Sequence, residues 1–268
     1  MQDATKSNIL SRIILRNVRL TKYNLDFVST DNLRPAMNYV LFNARTGHVV
    51  ATNGQVLAIY EIPEDDITLL TQAGDEIDAR DFKMHYDGCC SDGHVLIPPA
   101  AFDHLRDGRK YTLDAVRKMG YDFDIDVISG AITVMEGSLE SPMSKETFDA
   151  GDEHFPGYMS VVNRRQREIP SEYFGIDLDL ITKIKKALPA RSATEVVLRR
   201  QADRLLITPK DTTTYSRKES GIPRYRSLYI AMGLVMNGSK MEGFVPEGFT
   251  HHTKIKKIAP DFEPRDIS

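Results

Sequence analysis

Cysteine is nearly absent from this chain of 268 residues: there are two, Cys89 and Cys90, and they are neighbours. Adjacent cysteines cannot form a long-range intrachain disulfide, so the fold must rest on packing, as in proteins of reducing compartments. Long apolar runs are absent too, and none reaches the roughly 20 residues needed to span a bilayer. The opening stretch, MQDATKSNIL, has neither the charged start nor the long apolar segment of a signal peptide. These features lead us to expect a cytoplasmic protein with no membrane partner. Excess charge is small as well. With 35 Lys and Arg against 38 Asp and Glu, the net charge is -3. That excludes a chain-wide cationic coat but leaves room for a local basic face.

Catalytic signatures are also missing. There is no phosphate-binding glycine loop, nucleophile elbow or His-Glu helix motif. The acidic pairs Asp65-Asp66 and Asp124/Asp126 fall on a turn and on one strand face. A nuclease-type metal site needs carboxylates converging from different elements. The expectation is a protein that is not an enzyme and needs no cofactor.

What is present is enough apolar residue, 41%, to bury a real core in one large domain or two ordinary ones. The stretch over 29–61, STDNLRPAMNYVLFNARTGHVVATNGQVLAIYE, breaks three apolar runs at Thr46-Gly47 and Asn53-Gly54. Short apolar runs parted by Gly and Asn read as antiparallel strands joined by tight turns.

Upstream, 11–27 reads as a helix, with Ile14, Val18, Leu25 and Val28 on one side and Arg19, Lys22 and Asp26 on the other. Leu20, Tyr23 and Phe27 widen its apolar arc. The polar segment 63–93 reads as a long connection. A short strand at 95–97 precedes Pro98-Pro99, which opens a helix, AAFDHLRDGRK. Strands follow at 111–116, 123–128, 131–135 and 138–141, with Ser129-Gly130 and Glu136-Gly137 as turns. A basic linker covers 163–168, and 173–176 reads as a short strand. Asp177 caps a helix to Leu188 whose apolar stripe is Leu180, Ile181, Ile184 and Leu188. Paired strands at 195–199 and 204–208 and a strand at 227–236 complete the reading, and the Gly-, Pro- and Lys-rich tail follows.

Several of these pieces resemble the bacterial DNA polymerase sliding clamp, the beta subunit of the replicative polymerase. Ser29-Thr30-Asp31 with Arg34-Pro35 resembles the family's Ser-x-Asp-x-x-Arg-Pro turn, and Asn38 to Phe42 the strand after it. Ala51-Thr52-Asn53-Gly54-Gln55-Val56-Leu57-Ala58 is similar to the family's Ala-Thr-Asp-Gly-His-Arg-Leu-Ala. Phe155-Pro156-Gly157-Tyr158 resembles its Phe-Pro-Asp-Tyr, and SLYIAMGLVM its terminal Tyr-Val-Val-Met-Pro-Met. Gln55 and Val56 stand where the family has His and Arg, and Gly157 where it has Asp.

The resemblance implies an α+β fold of clamp-like repeats, each one helix plus antiparallel strands, with sheets outside and helices on one face. Three copies fall at about 10–62, 95–155 and 172–236. Grouped into domains, they give 1–162 with two copies, 163–236 with one, and a tail over 237–268. The family has an even number of copies. Here the second domain has lost its first half, which puts the family's dimeric ring in question.

Carried over residue by residue, the family's partner-peptide groove uses Thr52, Gly54, Gln55, Val56 and Leu57. It adds Pro156 and Val161, then Ile230, Ala231 and Met232. Leu, Val, Ile and Met make an adaptable apolar pocket. The plainer alternative is a set of core residues at a domain junction. A DNA-facing surface would use Arg19, Lys22, Arg106, Arg109, Lys110, Lys183 and Lys186, which sit on or beside the expected helices and suit phosphates without regard to base sequence. The alternative is ordinary solvated helix faces, and Asp103, Asp107 and Asp179 on the same faces weaken the DNA reading.

His85, Cys89, Cys90 and His94 suggest zinc by composition, but the usual gap between Cys ligands is missing, so a solvated loop is the better reading and no metal is expected. The functional expectation is a sliding clamp or processivity factor that binds double-stranded DNA non-specifically, takes a polymerase or repair-protein peptide, and assembles as a homo-oligomer. The competing expectation is a clamp-like adaptor or decoy that keeps the groove and does not encircle DNA.

Overall fold

Asn-Gly and Thr-Gly turns and alternating apolar runs produce what they should, a ladder of antiparallel strands. The computed structural model of the chain describes residues 8–18, 20, 25–83, 93–102, 121–138, 141–162, 176–187, 196–201, 204–209 and 226–232. Twelve strands and two α-helices lie among them. They are β1 (Leu10–Val18), β2 (Val40–Asn43), β3 (His48–Thr52), β4 (Val56–Glu61), β5 (Ile67–Thr71), β6 (His94–Ile97), β7 (Tyr121–Asp126), β8 (Ala131–Ser138), β9 (Ser141–Asp149), α1 (Tyr158–Val162), α2 (Leu178–Ala187), β10 (Val196–Gln201), β11 (Arg204–Pro209) and β12 (Arg226–Met232).

The strands form a five-stranded sheet ordered β5-β1-β7-β8-β9 and a seven-stranded sheet ordered β10-β11-β12-β4-β3-β2-β6. All ladders within them are antiparallel. One face of each sheet contributes to a single core, where Ile13, Leu15, Phe123 and Ile125 of the first meet Phe42, Ala58, Tyr60 and Tyr229 of the second. The apolar stripe of α2, Leu180, Ile184 and Ala187, closes on the same core. A smaller cluster covers the opposite face of the seven-stranded sheet: Leu41, Val50, Leu57, Ile59, Leu96 and Ile230 under Phe155 and Tyr158.

Pairing between distant segments follows a rule. β2, β3 and β4 run as a meander, and the first strand, β2, is completed by β6 from later in the chain. β7, β8 and β9 run as a second meander, and its first strand is completed by β1 from earlier in the chain. The third meander, β10-β11-β12, joins the first through β12 and β4, with Ile230 opposite Leu57.

Three sequence expectations need correction. The stretch over 11–18 is not helical but lies in β1, paired on both sides by β5 and β7. Its apolar residues fit a helical stripe, but burial on both strand faces, with Ile13, Ile14 and Leu15 all buried, overrides the period. Near its end the strand is irregular between Leu15 and Val18, where Asn17 adopts φ 55 and donates its backbone N–H to Asp122 Oδ1 at 2.7 Å. The connection 63–93 contains β5, whose flanking acidic residues mask a β-branched run. The expected turn at Glu136-Gly137 and strand at 138–141 give way to a longer hairpin, in which β8 continues to Ser138 and β9 occupies Ser141–Asp149. Ser144 to Thr147 are exposed, so β9 carries little hydrophobic signal.

The expected strand at 111–116 and most of those at 173–176 and of the helix after Pro99 lie outside the described residues. The helix after Asp177 forms, and Asp177 Oδ1 accepts the Asp179 N–H at 2.8 Å as an N-cap should.

Candidate functional site

The β3–β4 turn is built by its own side chains. Asn53 Oδ1 accepts the N–H groups of Gln55 and Val56, both at 3.0 Å. Thr52 Oγ1 donates to the Val56 carbonyl at 2.8 Å and accepts the Gly54 N–H at 3.1 Å. Gly54 takes φ 86, a backbone conformation that favours glycine, while the one atom a Cβ there would crowd, Arg34 Nη1 at 2.8 Å, is the movable end of a long side chain. The last strand is tied to this turn by the Met232 N–H, which donates to the Gln55 carbonyl at 2.9 Å.

Against this corner lies the segment from Phe155 through α1. Tyr158 pins it. Asn43 Nδ2 donates to the Tyr158 hydroxyl at 3.1 Å and also sits 3.2 Å from His94 Nε2. His48 Nδ1 is 3.0 Å from the same hydroxyl and Thr46 Oγ1 is 3.3 Å away. Burial holds the His48 imidazole below its ordinary pKa, an effect opposed by the nearby Glu61 carboxylate. Ser160 Oγ donates to the Gly157 carbonyl at 2.6 Å and tightens the turn into α1.

Between the turn, the end of β12, the start of β11 and the 155–161 segment lies a cavity of about 560 Å³. Nine of the ten residues named for a groove line it: Thr52, Gly54, Gln55, Val56, Leu57, Pro156, Val161, Ile230 and Met232. Ala231 does not. It is fully buried on the other face of β12, in the main core beside Tyr229, because successive strand residues point to opposite faces.

Sequence reasoning missed Arg34, Met37, Phe155, Gly157, Tyr158, Ser160 and Arg204, which also line the cavity. Arg34, Phe155, Gly157 and Tyr158 stood in the quoted motifs. Arg204 had no local signal, and only its pairing opposite Met232 brings it here. Arg34 stands at the rim, with over half of its side chain exposed and Asp31 4.0 Å away.

Of the seven basic positions, only Lys183 and Lys186 lie among the described residues. Lys183 is half-buried and Lys186 exposed on α2, beside Lys185. Arg19, Lys22, Arg106, Arg109 and Lys110 lie outside the described residues, as do His85, Cys89 and Cys90. His94 is a β6 residue at the edge of the Tyr158 network. Among the described residues no three His, Cys, Asp or Glu side chains converge as a metal site would require, and no helix is long and apolar enough to cross a membrane.

A sheet-dominated chain with this meander arrangement has the fold of the bacterial sliding clamps. The Helicobacter pylori beta clamp, solved in complex with diflunisal, superimposes with a TM-score of 0.52 at 10% identity, covering 85% of this chain and 67% of that one. A putative DNA polymerase III beta subunit from Eubacterium rectale matches with a TM-score of 0.45 at 11% identity, over 87% of this chain and 67% of that one. No protein-family model and no curated protein sequence matches the chain.

Proposed function

We propose that this protein is a divergent, shortened sliding-clamp-like processivity factor that catalyses no reaction and takes a partner peptide in the cavity beside the β3–β4 turn. The observation that carries the reading is convergence: residues from 52–57, 156–161 and 230–232, far apart in sequence, line one apolar cavity. A concave apolar site with a few polar groups at its rim suits a short peptide with two large apolar side chains, most of whose affinity comes from a few buried contacts. Arg34 at the rim adds a preference for an acidic residue beside that pair.

In this reading the chain consists of helix-and-strand units, two in 1–162 and one in 163–236, with the helices on one face. α2 presents Lys183 and Lys186 to double-stranded DNA, touching phosphates without reading bases. Several copies assemble around the duplex in the cytoplasm. A second reading keeps the groove and drops the DNA, making the protein an adaptor or decoy. It is favoured by Asp179, exposed on the same helix as the lysines.

The test is titration of a peptide carrying a Leu-Phe pair. Wild-type protein should bind it, and Leu57→Lys, which places a charge in the cavity, should not. A folded Leu57→Lys protein that binds as well as wild type removes the groove assignment. DNA retention that is indifferent to salt removes the processivity role and leaves the adaptor.

A further inference from the structure

The cavity beside the β3–β4 turn has two unlike ends. Its apolar end is built on Leu57 of β4 and Ile230 of β12, which face each other across the ladder, with Pro156 and Val161 from the covering segment. The tip of the turn forms the other end. Arg34 Nη1 lies over Gly54 there, 2.8 Å from where a Cβ would stand. The Gln55 carbonyl accepts the Met232 N–H, and Met232 stands opposite Arg204. Arg34 and Arg204 therefore flank the same end. Among the described residues they are the charged members of the cavity wall, and neither Asp nor Glu lines it. Asp31, 4.0 Å from Arg34, lies outside that wall.

The two arginines sit at different depths. More than half of the Arg34 side chain is exposed, whereas Arg204 is 2% exposed. Water screens an anion held by Arg34, as at any exposed pair. A carboxylate that reaches Arg204 leaves water, so the attraction is stronger and salt weakens it less. It also gives up its hydration, and binding gains only if hydrogen bonds replace that water. A guanidinium meets this need, because it stays charged and its planar fork of N–H donors takes both oxygens of a carboxylate. Arg204 already has a contact within the fold, and the fork leaves further donors for a ligand.

We propose that Arg204 is the specificity-determining residue of this cavity, and that it selects a partner peptide with an acidic side chain two residues from its apolar pair. The spacing comes from the sheet. Met232, opposite Arg204, and Ile230, opposite Leu57, share one face of β12 about 7 Å apart. An extended peptide presents residues i and i+2 on one side at the same interval. Its carboxylate then reaches the arginine end as an apolar side chain settles on Leu57 and Ile230. The acidic residue can precede or follow the pair, according to the direction in which the peptide lies.

This selection rests on the peptide reading of the cavity, and neutral peptides tell the two apart. The experiment is calorimetric titration of the full chain with amidated Asp-x-Leu-Phe and Leu-Phe-x-Asp peptides, each beside its Asn counterpart. In one of the two orders the Asp peptide should bind at least about tenfold tighter than the Asn peptide, as hydrogen bonds between charged groups warrant. That ratio should persist in about 0.5 M salt, where an exposed pair fades. Arg204→Gln should erase the ratio and leave the Asn peptide's affinity within about twofold of wild type, because the apolar contacts remain. Arg34→Ala should lower the ratio by less than Arg204→Gln does. A ratio near one in both orders, a ratio that Arg204→Gln leaves intact, or one that salt or Arg34→Ala abolishes would each overturn the assignment to Arg204 while the neutral peptides still bind. If Arg204→Gln does not fold, the salt and Arg34→Ala measurements still decide. Should none of the four peptides bind, the peptide reading of the cavity falls, and the selection falls with it.

Discussion

The two faces of the seven-stranded sheet are made from alternate residues of the same strands, and they differ in what covers them. On the inner face, Ala58, Tyr60, Tyr229 and Ala231 are at most 2% exposed beneath the second sheet and α2. On the outer face, Leu57, Ile59 and Ile230 are covered, among the described residues, by the short stretch from Phe155 to α1, and beside that cover lies the cavity. Strand alternation thus lets β4 and β12 build the core with one set of side chains and offer a concave apolar surface with the other. Mutation should separate the two roles.

The largest effect belongs to the inner face. Tyr229 packs between Phe27, tilted against it, and Tyr60, edge-on to it, with ring centroids 5.8 and 5.9 Å away. Tyr229→Ala should cost about 3–5 kcal/mol, measured by denaturant unfolding. A loss below about 1 kcal/mol would mean that the inner face is not the stabilising one. Leu57→Lys should cost less, about 1–3 kcal/mol, because a lysine stem can follow the cavity wall and put its ammonium in the open space. If it instead unfolds the protein, Leu57 is core in the same sense as Tyr229 and the contrast between faces collapses.

Smaller effects sharpen the contrast. Arg34→Ala at the rim should leave stability unchanged and weaken an acidic peptide by about 0.2–1 kcal/mol, the usual worth of an exposed ion pair. A neutral peptide should be unaffected. Lys183→Glu with Lys186→Glu should change stability by no more than about 0.5 kcal/mol while reducing DNA retention.

The smallest effect lies in the hydrogen-bond network under α1. Burial disfavours the charged form of His48 and sets its folded pKa below the unfolded value of 6.5, against the opposing pull of Glu61. The unfolded chain therefore binds the extra proton first. Stability from this group is fully present above pH 6.5 and declines as pH falls toward the folded pKa. Thermal melting between pH 7.5 and 5, compared with His48→Gln, should show a shallower decline in the variant. Parallel curves would remove His48 from the network's energetics.

The contribution of sequence is uneven across these elements, and the pattern has a cause. The β3–β4 turn, the hairpin of β10 and β11, and the capped α2 depend on contacts within a few residues, and Asn53, Gly54 and Asp177 declare them locally. β1, β5 and β9 do not. Each is a strand because of a partner brought from elsewhere: β1 has β7 more than a hundred residues away, and β9 is nearly polar and held by β8. Periodicity in 11–18 was compatible with a helix, and only the two flanking ladders decide against it.

The same division runs through the site. Motif likeness by itself selected nine of the cavity-lining residues, because the turn and the Phe155-Pro156-Gly157-Tyr158 segment carry recognisable local patterns. The tertiary structure alone decided three further matters. Strand alternation, once β12 was paired with β4, turned Ala231 into the core. The register of β11 brought Arg204 opposite Met232 at the cavity. And the sheet order left β10 at an edge with its apolar residues exposed. Local chemistry sets turns and caps, whereas side-chain direction, wall residues and open edges depend on which distant strand lies alongside.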